Sequence, residues 1–309
     1  MPHDHHGDGR GHHTHVDPAA GDARVMLAVG VNIALTVAQV IGGVLSGSLA
    51  LIADALHNLS DAMALVIAFA ARKIARRPAD EAMTFGYARA EVVAALVNYT
   101  TLIVLGLFLA YEAVMRFFSP EPVAGWAVVI VAGIALAIDL VTAALTYSMS
   151  KDSMNIRAAF LHNVVDALGS IAVIVAGSLV ILFDWWIVDP LVTLGIAGYM
   201  LWMSFAEVGG VIRILMLGSP PQMDAGEVLD TVRGTDGVAG VHHAHLWLMD
   251  ERGASLDLHV VVQEGAWDRA DLIKHDVRRR LKAAHGIGHG TIELESAGHA
   301  CRDARIWGH

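Results

Sequence analysis

The residues able to do chemistry in this chain are histidines and aspartates set into apolar sequence. The stretch Ser48–Asp61 reads SLALIADALHNLSD and places Asp54, His57 and Asp61 at i, i+3 and i+7, on one face of a helix. A second stretch, Ala158–Ala167, reads AAFLHNVVDA and repeats the chemistry with His162 and Asp166 four residues apart. Two His-x-x-x-Asp pairs on facing helices would offer two imidazole nitrogens and two carboxylates. That mixed set suits zinc in tetrahedral geometry; a site made only of carboxylates would suit manganese or magnesium better. A lone histidine in such a helix reads equally well as a helix–helix hydrogen bond, but a duplicated pair is hard to explain by packing. Asp54 reads either as a partner holding His57 or as a proton acceptor. Asp139 reads as a pathway or proton-relay group, and Asn32, Gln39 and Asn98 as interhelical hydrogen bonds.

The elements that must position these groups are long and apolar. Of 309 residues, 55 % are apolar and 17 % charged, with a mean hydropathy of +0.53. Soluble domains are about a quarter charged, so the composition points to a bilayer. Six apolar stretches stand out, at 25–45, 49–71, 91–117, 123–149, 158–183 and 187–212. Each is long enough for a hydrocarbon core of about 30 Å at about 1.5 Å per residue. Within such helices each acid costs on the order of 2.5–3.5 kcal/mol at mid-depth, so ionisable groups there face a polar path. Arg72, Lys73, Arg76, Arg77 and Arg89 gather between the second and third stretches, and Lys151 and Arg157 between the fourth and fifth. Basic loops stay inside, so both termini are expected in the cytoplasm of a multi-pass plasma (inner) membrane protein. No secretory leader is expected, because the first 24 residues are polar.

After Leu217-Gly-Ser-Pro-Pro221 the character changes. Residues 222–309 hold fourteen acidic and ten basic side chains and no membrane-length apolar run. A helix capped by Asp224, strands over 238–249 and 255–263, a helix over 267–284 and a strand over 290–295 are expected, a small αββαβ domain. The division is then a disordered His-rich tail (1–23), a six-helix membrane domain (24–217) and a cytoplasmic domain (218–309). A net charge of −10 and the lack of a basic run argue against a nucleic-acid partner. The single Cys301 excludes an internal disulfide. No HExxH or GxSxG occurs, which removes the commonest hydrolase readings, and a passive channel would show rings of like residues instead of an N/O cage.

Four motifs carry a resemblance: SGSLALIADALHNLSD, FGYARAEVVAALVN, NIRAAFLHNVVDALGS and WWIVDPLVT. With them the chain resembles the zinc-transporting branch of the cation diffusion facilitator family over about 24–295. The resemblance implies six membrane helices, a metallochaperone-like (ferredoxin-like) cytoplasmic α+β domain, a homodimer, and metal export against protons by alternating access. It also implies a transport site on His57, Asp61, His162 and Asp166, the residues chosen above on chemistry. Gln39 departs from the pattern, since many relatives carry an acid there. Relatives also place zinc in the cytoplasmic domain; by motif this falls on His245, His259, His289 and Glu295. A second set would be His242, Asp271 and Glu293, with His299 and Cys301 as additional ligands. The expected cargo is zinc, with cobalt, cadmium, nickel or iron(II) as alternatives. Neutral histidines and ionised carboxylates hold the metal, and arriving protons displace it. The tail histidines His3, His5, His6, His12, His13 and His15 would capture metal loosely near the cytoplasmic entrance.

Overall fold

The computed structural model describes residues 18–147, 154–250, 253–301 and 305–308; the side chains of 18–29, 31–32, 65, 145–146, 154–160 and 162 are not among those described. The six apolar stretches are helices: α1 (Pro18–Ser46), α2 (Leu49–Ala75), α3 (Ala90–Phe118), α4 (Gly125–Tyr147), α5 (Met154–Phe183) and α6 (Val188–Leu215). Among the described residues, α2 to α6 are each long and apolar enough to cross a membrane, and α1 adds the apolar stretch Ile33–Ser46. Helices α1 and α5 start several residues before their apolar runs. Helix α1 thus takes in residues 18–23 of the expected tail. Large apolar side chains such as Leu45, Phe69, Leu182 and Trp202 stand exposed on the outer faces, as lipid-facing residues do.

The chain forms two compact units, Met1–Ala62 with Tyr111–Ile196, and Met63–Ala110 with Ala197–His309. In the first unit, α4 packs along α5 and α1 along α4. Close approach is made by small residues: a Cβ on Gly125 would meet the Gly177 carbonyl oxygen at 2.6 Å. Ala50 and Leu51 of α2 pack with Val128 and Ala132 of α4 and Val173 and Val180 of α5. The turn from α1 to α2 needs Gly47, at φ 70°, with the Ser48 N–H returning to the Gly43 carbonyl as a helix C-terminal lock. Ser48 caps α2 by accepting from the Leu51 N–H. The carboxylate of Asp189, at the start of α6, also receives the Ser48 hydroxyl at 2.5 Å and the Leu49 N–H at 2.7 Å. Arg116 of α3 donates to the Gly47 carbonyl and pairs with the exposed Glu121, and the buried latch of Ser48 and Asp189 fixes where α2 begins.

In the second unit the order αββαβ holds: α7 (Ala225–Arg233), β1 (Val238–Leu248), β2 (Ala254–Val262), a 3-10 turn at Trp267–Arg269, α8 (Ala270–His285) and β3 (His289–Ser296). Asp224 caps α7 by accepting from the Gly226 and Glu227 N–H groups. The sheet order is β1-β2-β3, with β1 antiparallel and β3 parallel to β2. Val228, Leu229 and Val232 of α7 and Ile273, Val277 and Leu281 of α8 cover one sheet face, meeting Leu256, Leu258 and Val260 of β2. Strand alternation then turns Asp257 and His259 to the other face. The end of β1 is gripped by the helices: Leu248 packs with Val92, Val211 and Ile214, and Arg89 donates to the Leu248 and Met249 carbonyls at 3.2 and 3.0 Å.

Candidate metal centres

Helical spacing alone brings His57 and Asp61 together on α2, with the His57 Nε2 3.7 Å from Asp61 Oδ2. The packing of α5 adds Asp166, whose Oδ1 lies 3.6 Å from the same nitrogen. The three donor atoms all lie within 4.8 Å of one another. Bonds of about 2.0 Å to a tetrahedral zinc imply ligand–ligand edges of about 3.3 Å, so this triangle needs only a small contraction to hold a cation. His57 and Asp166 are buried and Asp61 half-buried, so a cation here would be largely stripped of water. The side chain of His162 lies outside the described residues. His162 stands on α5, four residues before Asp166.

Behind the triangle sits a buried polar network. Gln39 Nε2 donates to Asp54 Oδ2 at 2.6 Å, and Asn58 Nδ2 donates to Gln39 Oε1 at 3.2 Å. This gives Gln39 a physical role. An acid at that position would set two carboxylates against each other, whereas the amide satisfies Asp54 and Asn58 at once. Asp54 therefore holds Gln39 and is not one of the three converging donors; a Cβ on Gly169 would come within 3.2 Å of its Oδ1, so α5 passes close by. Asp139 on α4 accepts from Ser170 on α5 at 3.2 Å.

The second centre is built on a strand defect. His242 of β1 pairs with His259 of β2, yet the next register pair is His245 with Asp257, so three β1 residues span what two β2 residues span. The extra residue, His243, takes φ 47°. Its N–H and that of Ala244 bond to the Arg305 and Ile306 carbonyls at 2.9 and 2.8 Å, so the C-terminal segment covers the bulge. The consequence is a cluster of three imidazoles, His242, His243 and His259, with ring centroids 4.9–5.1 Å apart.

Carboxylates complete it. His259 Nδ1 lies 2.7 Å from Glu295 Oε1, and its Nε2 lies 3.3 Å from Glu293 Oε2. An imidazole faced by carboxylates on both nitrogens satisfies both only as imidazolium or with a cation interposed. His242 Nε2 is 3.3 Å from Glu295 Oε2 but not angled to hydrogen-bond it. Burial would raise the Glu295 carboxyl, but the His259 bond, the Cys301 N–H and the His242 charge outweigh that and hold it below the usual carboxylate value. Two metal-sized groups overlap at His259: one with His242, His243 and Cys301, the other with Glu293 and Glu295.

Of the four cytoplasmic-domain ligands expected from sequence, the structure thus gathers His259 and Glu295. His245 and His289 stand apart from both groups, His245 opposite Asp257 and His289 exposed opposite Ser255. Asp271 is exposed at the start of α8, and His299 bonds to Ser296. His243 was not singled out by sequence, because strand alternation would turn it away from His242; adjacent histidines beside a tail cysteine were the available signal. Asp189 and Arg116 were also passed over, although Asp-Pro at a helix start marks a cap. The tail histidines His3 to His15 lie outside the described residues.

Candidate cation ligands inside apolar helices, with a second candidate cluster in a polar α+β domain, fit the layout of a membrane metal-cation transporter. Comparison agrees. The cation efflux transmembrane domain matches residues 25–216, and the cytoplasmic domain of cation efflux proteins matches residues 220–297. The chain is 35 % identical over 264 residues to the cadmium, cobalt and zinc/H(+)-K(+) antiporter of Bacillus subtilis, covering 84 % of this chain and 85 % of that protein. It is 34 % identical to the metal cation efflux system protein CzcD of Cupriavidus metallidurans, covering 92 % and 90 %. It is 33 % identical to the zinc transporter ZitB of Escherichia coli, covering 88 % and 87 %. A solved metal-bound C-terminal domain of the CzcD transporter is 30 % identical with a TM-score of 0.22, covering 24 % of this chain and 99 % of that one. The chain belongs to the cation efflux, or cation diffusion facilitator, family: a multi-pass membrane transporter of cations, not an enzyme.

Proposed function

We propose that this protein exports a divalent metal ion, zinc foremost, from the cytoplasm in exchange for protons, by alternating access at His57, Asp61, His162 and Asp166. The observation that carries the reading is the convergence of His57, Asp61 and Asp166 on one cation-sized space among apolar helices. Histidine in the set favours zinc, cobalt or cadmium over magnesium or manganese. The names of the relatives from Bacillus subtilis and Escherichia coli support the same cargo and the antiport. Zinc needs the imidazoles neutral and the carboxylates ionised, so protons entering from outside displace it and reset the site. The basic segments around Arg72–Arg77 and Arg89 favour both termini on the cytoplasmic side of the plasma membrane, with a homodimer as the working unit. In that arrangement the cluster of His242, His243, His259, Glu293, Glu295 and Cys301 binds zinc from the cytoplasm.

The test is flux in proteoliposomes of the full chain under an imposed pH gradient. Saturable zinc uptake that follows the gradient and is lost in Asp166→Ala is expected. Zinc movement indifferent to the pH gradient would overturn the antiport, and flux without saturation would favour a channel.

A further inference from the structure

Helix α8 carries a feature that neither metal centre uses. Its core face is Ile273, Val277 and Leu281, all buried. Alongside that face, His275, Arg278, Arg279 and Lys282 follow the spacing i, i+3, i+4 and i+7 and form one exposed stripe. The stripe forms one wall of an open cleft of about 600 Å³ whose other wall is the start of β3 with His289 and Gly290. Leu256 and Ile292 provide an apolar floor, and among the described residues no carboxylate lines the cleft. This is notable in a chain of net charge −10, and in a domain where acids outnumber bases. The run Arg278-Arg-Arg-Leu-Lys282 is a local concentration of cations within this acidic domain.

The cations are not consumed by structural pairing. Arg279 pairs with Asp276 at 2.7 Å and Arg280 donates to the Gly234 carbonyl, but among the described residues Arg278 and Lys282 have no ion pair. Only Lys282 and His285 fall in the last turn, where a cation complements the helix dipole; Arg278 and Arg279 lie earlier. Arg278 and Arg279 stand four and three residues before Lys282, spacings at which like charges repel along a helix, and an anion between them relieves the repulsion. A metal ion is disfavoured by the same charges, which leaves His275 and His289 as donors toward an anion.

We propose that the cleft between α8 and the start of β3 binds a phosphate-bearing anion with an apolar or organic portion. Arg278 and Lys282 would hold the phosphate, and Leu256 and Ile292 would meet the attached group. The volume lies within the range of small-molecule sites and exceeds what a bare phosphate fills. The phosphate can come from a soluble phosphomonoester or from an anionic lipid headgroup at the cytoplasmic leaflet, which attracts basic segments.

The test uses the full chain in phosphatidylcholine nanodiscs, with phenyl phosphate as the soluble probe and calorimetry as readout. Binding is expected, weakened at least about tenfold by Arg278→Glu with Lys282→Glu and less by the paired Gln variants, while an unchanged thermal unfolding midpoint in the same nanodiscs reports that the variants fold. Displacement of phenyl phosphate when phosphatidylglycerol replaces phosphatidylcholine identifies the bilayer as the source; no displacement identifies a soluble ligand. Either result supports the anion site. Failure of the probe to bind wild type in phosphatidylcholine, with no effect of phosphatidylglycerol, overturns it, as does equal binding by wild type and variant. A change of oligomeric state in the Glu variant without loss of phosphate binding also overturns it and gives the face to a second copy of the chain.

Discussion

The two candidate metal centres use similar side chains on opposite kinds of scaffold. In the helical unit, His57 and Asp61 meet because a regular helix returns every fourth residue to the same face, and one neighbouring helix adds Asp166. In the α+β domain, His242 and His243 meet His259 because β1 breaks its own alternation, with the C-terminal segment holding the break in place. A site shared between two regular helices changes most when whole elements move, which fits the alternating access proposed above. A site on a bulge under a short tail can form or open locally.

That contrast is broken most severely by removing a helical ligand. Asp61→Ala or Asp166→Ala should lower zinc flux in proteoliposomes by more than about a hundredfold, beyond the 10–100-fold typical of losing a group behind a ligand. Protein yield and thermal unfolding should change little. Residual flux near the wild-type rate would remove these carboxylates from the transport site.

Next in size is the latch above that site. Asp189→Ala leaves the Ser48 hydroxyl and the first N–H groups of α2 without their acceptor, and should destabilise the protein by about 2 kcal/mol in thermal unfolding, with flux falling alongside. Asp189→Asn keeps one carbonyl oxygen and should fall between. Equal behaviour of Asp189→Ala and wild type would show that α2 is positioned by packing alone.

The strand-based centre separates ligand from scaffold in one substitution. His243→Gly relieves a left-handed backbone worth about 1 kcal/mol while removing an imidazole. The expected result is an unchanged or raised melting temperature together with about tenfold weaker zinc binding by the cytoplasmic cluster, read by competition with a chelating dye. His245→Ala and His289→Ala should leave that binding within about twofold. If they weaken it as much as His259→Ala, the ligand set expected from sequence is the better one.

The smallest effect lies in the loop between α2 and α3, which has neither scaffold. The Tyr87 hydroxyl and the Met83 N–H donate to Asp80 at 2.7 and 2.8 Å and hold its carboxyl below the usual carboxylate value. A depressed folded-state value means that this order is present above the ordinary carboxylate range and is lost as pH falls through the depressed value. The protection of residues 80–87 against hydrogen exchange, taken relative to the intrinsic rate at each pH, should therefore fall on acidification, and Asp80→Asn should remove the dependence. Asp80 is exposed and screened, so global stability should barely move.

The residues show how far each level reaches. Amino-acid order alone sets six membrane-length helices, the αββαβ order of the C-terminal domain, and the His57–Asp61 pair, because hydrophobic periodicity and the 3.6-residue helical repeat are local properties of the chain. It also determines that Asp54 and Gln39 are polar groups in apolar helices. Only the tertiary structure decided that they bond to each other, since they belong to different helices whose rotations are set by packing. Only it decided that Asp189 caps a helix some 140 residues away, and that His243, not His245, joins His259. A strand bulge reverses which side chains share a face, and no local period records it. It depends on a partner strand and on a tail that the chain supplies some sixty residues later.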